Sequence, residues 1–127
     1  MKLLLDTHIW LWSLEDPGRL GKRVQQELRD PENELWLSPI STWEALVLNA
    51  SGRVRLLGDL DDWVTKATAP FREAPLTHEV ASAAQQLAQR DPADRFLAAT
   101  AKILDLTLVT ADAALLGLGE ISTLGNR

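Results

Sequence analysis

The apolar pattern opens with Leu3-Leu4-Leu5, three large aliphatic residues in a row ahead of Asp6-Thr7-His8. A run with no polar alternation cannot be one face of an amphipathic element. It predicts a short strand covered on both sides, as in a parallel sheet between layers of helices. Ile9, Trp10, Leu11, Trp12 and Leu14 then give a helix that is apolar on most sides, stopped by Asp16-Pro17-Gly18. Such a helix must be covered by more than its own sheet. Leu20, Val24 and Leu28 recur at i, i+4 and i+8 among Lys22, Arg23, Gln25 and Gln26, which predicts an amphipathic helix ending near Asp30-Pro31.

Glu34-Leu35-Trp36-Leu37 reads as a second strand. Ser38-Pro39 follows as a cap and first-turn proline for a helix running to Ser51-Gly52. Asp59 caps another helix carrying Leu60, Trp63, Val64 and Ala67, and Phe71 to Pro75 suits a brief edge strand. Thr77 opens a helix with Val80, Ala83, Ala84 and Leu87. Asp91-Pro92 opens one reaching Leu104, in which alanines allow close packing. Thr107 to Thr110 is a strand, Ala113 to Leu116 a helical turn broken by Gly117 and Gly119, and Ile121 to Leu124 a last strand. Strands alternating with helices predict an α/β fold, a short parallel sheet sandwiched by helices in three α/β/α layers. With 127 residues and no internal repeat or linker, the expectation is one domain over residues 1–127.

Composition narrows the chemistry. There are no cysteines, which excludes disulfides and thiolate metal sites. The leading apolar run is too short for a signal peptide or a membrane span, so a cytoplasmic protein is expected. A net charge of -5 argues at first against a nucleic-acid partner. That objection fades if several of the acids hold divalent ions, since two such ions cancel four carboxylates.

Four acids stand in unusual places. Asp6 follows the leucine strand, and Asp112 follows the strand ending at Thr110 in the same way. In open α/β sheets ligands sit beyond the carboxyl ends of strands, where the strand order reverses. Glu44 lies in an apolar helix between Trp43 and Ala45. Asp94 is the third residue of a helix whose cap is Asp91. Each has a plainer reading: Asp6 and Asp112 as helix caps, Glu44 as partner of a Ser41 capping box, and Asp94 as a charge favoured by the helix dipole. Together they imply more. Crowded carboxylates repel by several kcal/mol at low effective dielectric, and hard oxygen donors without His or Cys suit Mg²⁺ or Mn²⁺. Such ions activate water and stabilise the leaving oxygen in phosphodiester cleavage. His8 adds at most a contact beside Asp6, and His78 reads as surface.

The segments Leu4-Leu5-Asp6-Thr7-His8, Ser41-Thr42-Trp43-Glu44, Asp91-Pro92-Ala93-Asp94-Arg95 and Val109-Thr110-Ala111-Asp112 resemble those of PIN-domain ribonucleases, in order and over nearly the whole chain. The similarity is greatest to the toxins of VapBC toxin–antitoxin pairs. It implies a metal-dependent endoribonuclease using one or two Mg²⁺ or Mn²⁺ ions held by Asp6, Glu44, Asp94 and Asp112. Thr7 and Thr110 would support them, and Arg95 would contact phosphate or antitoxin. It also implies an RNA substrate, a small inhibitory antitoxin and a homodimer or dimer-based assembly. No membrane association is expected, and the Trp10/Trp12 face is either part of the antitoxin surface or buried inside the domain. The chain departs from the family pattern at Ala88-Gln89-Arg90, where a histidine often stands, and at Ala93, where a bulky aromatic is usual. A phosphoacceptor receiver domain is a rival of similar size, but Ser38 follows Leu37 where an acceptor acid would be needed, and no lysine follows Val109 or Ile121. A PIN fold retained only for binding is the other rival.

Overall fold

The computed structural model describes residues 1–89 and 91–127, so the departure at Arg90 lies outside the described residues. Five strands form one sheet: β1 (Lys2–Leu5), β2 (Glu34–Leu37), β3 (Arg72–Glu73), β4 (Thr107–Thr110) and β5 (Ser122–Gly125). Their order is β3-β2-β1-β4-β5, and every pairing is parallel. The chain builds outward from β1 through β2 to β3, then crosses to β4 on the other side of β1. The order therefore reverses between β1 and β4, where Leu5 lies opposite Val109.

Around the sheet lie α1 (Thr7–Glu15), α2 (Lys22–Arg29), α3 (Pro39–Ala50), α4 (Leu60–Thr68), α5 (His78–Gln85), α6 (Pro92–Leu104) and the single turn α7 (Ala113–Leu116). The alternation of strand side chains divides the core. Leu3, Leu5 and Val109 join Ile9, Trp10 and Val24 on one face, while Leu4 and Leu108 join Leu97, Ala98 and Leu115 on the other. All three leucines of β1 are fully buried, as a strand covered by helices on both faces requires. A third cluster, Val80, Ala84 and Ala99, fastens α5 onto α6. The result is a three-layer α/β/α sandwich. Among the described residues no helix is long and apolar enough to cross a membrane.

The caps are local in origin. Ser38, Asp59, Thr77 and Asp91 each accept a backbone N–H from the first turn of the helix they precede. Boundaries move by a residue or two from the sequence reading: β3 keeps only Arg72 and Glu73, α5 stops before Leu87, and β5 slides by one residue to Ser122–Gly125.

The two readings of the Trp10/Trp12 face are decided for Trp10 in favour of burial. Trp10 is not part of a partner-facing surface. Its side chain is fully buried, its indole Nε1 donates to the Ala67 carbonyl at 3.1 Å, and its ring packs against Trp63. The end of α4 thus covers the side of α1 that the sheet leaves bare. Trp12 is partly buried beneath the Arg19 guanidinium, 4.4 Å from the ring centre.

Candidate functional site

The carboxyl ends of β1 and β4 are adjacent, so the residues that follow them face each other across the switch point. Asp6 ends β1 and caps α1, its Oδ1 accepting from the Thr7 backbone N–H at 2.7 Å. Its Oδ2 accepts from the Thr110 hydroxyl at 2.6 Å. Thr110 Oγ1 in turn accepts from the Asp112 backbone N–H at 3.0 Å. With that lone pair taken, the threonine proton is directed at Asp6. Thr110 is fully buried, so the link between the two strand ends is shielded from water.

The Thr7 side chain makes the second link. Its hydroxyl donates to Glu44 Oε1 at 2.5 Å, across 37 residues of sequence. Glu44 lies on α3, which starts at Pro39 behind the Ser38 cap, so the Ser41–Glu44 capping box does not form. Ser41 is instead buried, and its Oγ has no hydrogen-bond partner among the described residues. Glu44 is thereby held to α1 rather than to the start of its own helix.

Asp94 comes from the first turn of α6, behind the Asp91 cap. Burial pushes its carboxyl up to about 7, and the charges of Asp91, Asp6, Asp112 and Glu44 push the same way. Asp6 is also raised, chiefly by burial, against the Thr110 hydroxyl, the Thr7 N–H and His8; Asp112 adds to the rise. Burial raises Glu44 too, opposed by the Thr7 hydroxyl and reinforced by Asp6 and Asp91. The four acids that stood apart in sequence therefore lie in one another's field. Asp91, read as a cap alone, contributes both the cap and a charge.

Asp6 and Asp112 are nonetheless turned to N–H groups at the starts of their own helices, and Glu44 to the Thr7 hydroxyl. Asp112 Oδ1 caps α7 through Ala114 N at 2.8 Å and Leu115 N at 3.3 Å. Among the described residues, no three His, Cys, Asp or Glu side chains are gathered tightly enough to hold a metal ion as they stand. Asp94 is coupled by charge to Asp6, Glu44 and Asp112, but among the described residues the acids do not form a closed ligand shell. The chemistry of the donor set still fits a hard divalent cation: all the donors are carboxylate oxygens, and burial, reinforced by neighbouring charges, opposes the ionisation of Asp6, Glu44 and Asp94. His8 is exposed on α1, and His78 is exposed at the start of α5. Arg95 Nε donates to the Gln89 carbonyl.

Sequence reasoning gave no role to Trp43. Its side chain is 59% exposed on α3, directly before Glu44. The signal was a large apolar residue on the solvent side of a helix, which is unremarked in a chain holding five tryptophans.

A match to the PIN domain family spans residues 3–120. No curated protein matches the chain by sequence. Among solved structures, the chain is similar to VapBC2 from Rickettsia felis bound to a DNA fragment from their promoter, with 14% identity, full coverage of both chains and a TM-score of 0.76. FitAcB from Neisseria gonorrhoeae is similar at 23% identity, covering 98% of this chain and 97% of that one, with a TM-score of 0.70. VapBC-1 from nontypeable Haemophilus influenzae is similar at 18% identity, 98% of both chains and a TM-score of 0.67. At these identities the likeness is one of fold.

Proposed function

The chain belongs to the PIN domain family, a family of nucleases, and from that premise we propose that it is the toxin of a type II toxin–antitoxin pair: an endoribonuclease dependent on Mg²⁺ or Mn²⁺. The observation that carries this reading is the pair of threonine bridges at the switch point. Thr110 joins Asp6 to the backbone of Asp112, and Thr7 joins Asp6 to Glu44, while Asp94 feels all three acids. The solved structures of similar fold include several complexes named as VapBC or FitAB, which supports a small protein antitoxin as the partner.

Asp6, Glu44, Asp94 and Asp112 would hold one or two ions. When bound, such an ion supplies an activated water and a Lewis acid for the scissile phosphate. The chain's own part is positional. Thr110 fixes the rotation of Asp6 and leaves a second lone pair on Oδ2 free. Thr7 does the same for Glu44 Oε1. Asp94, whose carboxyl burial and neighbouring acids hold up to about 7, would have to release its proton to serve as a ligand, which would make loading pH-dependent. The whole of residues 1–127 is read as one domain, working in the cytoplasm as a homodimer.

The test is cleavage of single-stranded RNA by the purified chain. Activity is expected with Mg²⁺ or Mn²⁺ and none in chelator. Asp6→Asn and Asp94→Asn are expected to abolish it while leaving the fold intact, and Thr110→Val to lower it about 10–100-fold. Full activity in both acid variants would refute the proposal.

A further inference from the structure

Of the five tryptophans, four have a partner. Trp10 bonds to Ala67 and packs on Trp63, Trp12 lies under Arg19, and Trp36 meets Glu34 and Arg72. Trp43 alone stacks on no ring or cation and bonds to no acceptor among the described residues, and it is the one exposed member of the five. It borders a cleft of about 430 Å³ walled by Leu37, Pro39, Leu46 and Phe71, with Glu73 at the rim. Leu37 and Glu73 are the last residues of β2 and β3, so the cleft opens on the same carboxyl edge of the sheet as the acids. β2 pairs directly with β1, which carries Asp6. One strand spacing, about 5 Å, separates the two strand ends.

We propose that this cleft receives an unpaired nucleobase of the RNA, stacked on the face of Trp43, next to the phosphate presented to the acids. The inference rests on the nuclease reading and adds to it the residue that holds the strand. The chemistry selects the base as occupant. A largely apolar cleft beside a free indole suits a π-face, and stacking on aromatic side chains is the sequence-tolerant means of holding single strands. The Glu73 carboxylate repels a phosphate, so the backbone stays at the opening and the ring enters. An acidic chain has little general attraction for RNA, and stacking supplies affinity that its net charge of -5 does not.

The test uses binding apart from cleavage. A fluorescent single-stranded RNA ten-mer pool with 2′-O-methyl sugars is titrated with the full chain, and anisotropy reports affinity. Trp43→Ala is expected to bind roughly 10–100-fold more weakly, while Trp43→Phe stays near wild type, because a ring restores the stack. Both variants are expected to keep the oligomeric mass of the wild type and its binding of Mn²⁺. Unchanged RNA affinity in Trp43→Ala overturns the stacking role and leaves the nuclease reading standing. A change of oligomeric mass with RNA affinity intact assigns the tryptophan to a protein interface and overturns it as well. A wild-type chain that binds no RNA overturns both readings.

Discussion

Asp94 sits where an aspartate resists ionising. An aspartate ordinarily loses its proton near 3.8, but burial and the neighbouring acids hold this one until about 7. Between those values the folded chain keeps a proton that the unfolded chain has released. Stability therefore falls as pH rises from about 4 to about 7 and levels off beyond. Asp6 and Glu44, both raised, add to the same slope. Asp94 is partly exposed, so solvent screens the effect. In chelator, the melting temperature of wild type is expected to drop across that window, and Asp94→Asn to show a shallower drop and a higher value at neutral pH. Parallel curves for the two proteins would contradict this account of Asp94. Added Mn²⁺ should reverse the loss, more at pH 8 than at pH 5, because a protonated carboxyl is a poor ligand.

At the scale of elements, the local signals were the legible ones. A triple leucine does not fit one face of an amphipathic element and reads as a strand covered on both faces, and β1 is that strand. Ser38-Pro39, Asp59, Thr77 and Asp91-Pro92 each mark a helix start because a side-chain oxygen reaching a first-turn N–H is chemistry within three residues. What depended on distant partners was not legible. The link from Thr7 to Glu44 spans 37 residues and the Trp10 bond to Ala67 spans 57. The apolar face of α1 could be seen, but not that α4 would cover it. The sheet order that brings β4 beside β1 likewise follows from the crossover of α6, which no local pattern records. One helix end carries a testable cost. Asp105 closes α6 at φ 54°, a left-handed conformation that glycine adopts without a Cβ clash. Asp105→Gly is expected to raise stability in urea by up to about 1 kcal/mol. A loss of stability would show that the aspartate side chain matters to this cap.

Across the whole molecule, sheet order and charge reinforce each other. The reversal between β1 and β4 sets two strand ends side by side, and each is followed within two residues by an acid. The helices α3 and α6 bring in Glu44 and Asp94, so four of the chain's 18 acids are concentrated at one edge of the sheet. Nothing in ordinary folding favours that concentration, because each carboxylate makes its neighbour harder to ionise. A divalent cation would turn the repulsion into attraction, and an acidic protein would gain a surface that a phosphodiester can approach. Calorimetric titration of Mn²⁺ into the wild type and into Asp6→Asn, Glu44→Gln, Asp94→Asn and Asp112→Asn measures this directly. Saturable binding of one or two ions by the wild type, weakened by every one of the four replacements, is the result expected of a shared site. Binding that survives all four replacements unchanged, or no binding in the wild type, would show that the acids only finish their own helices.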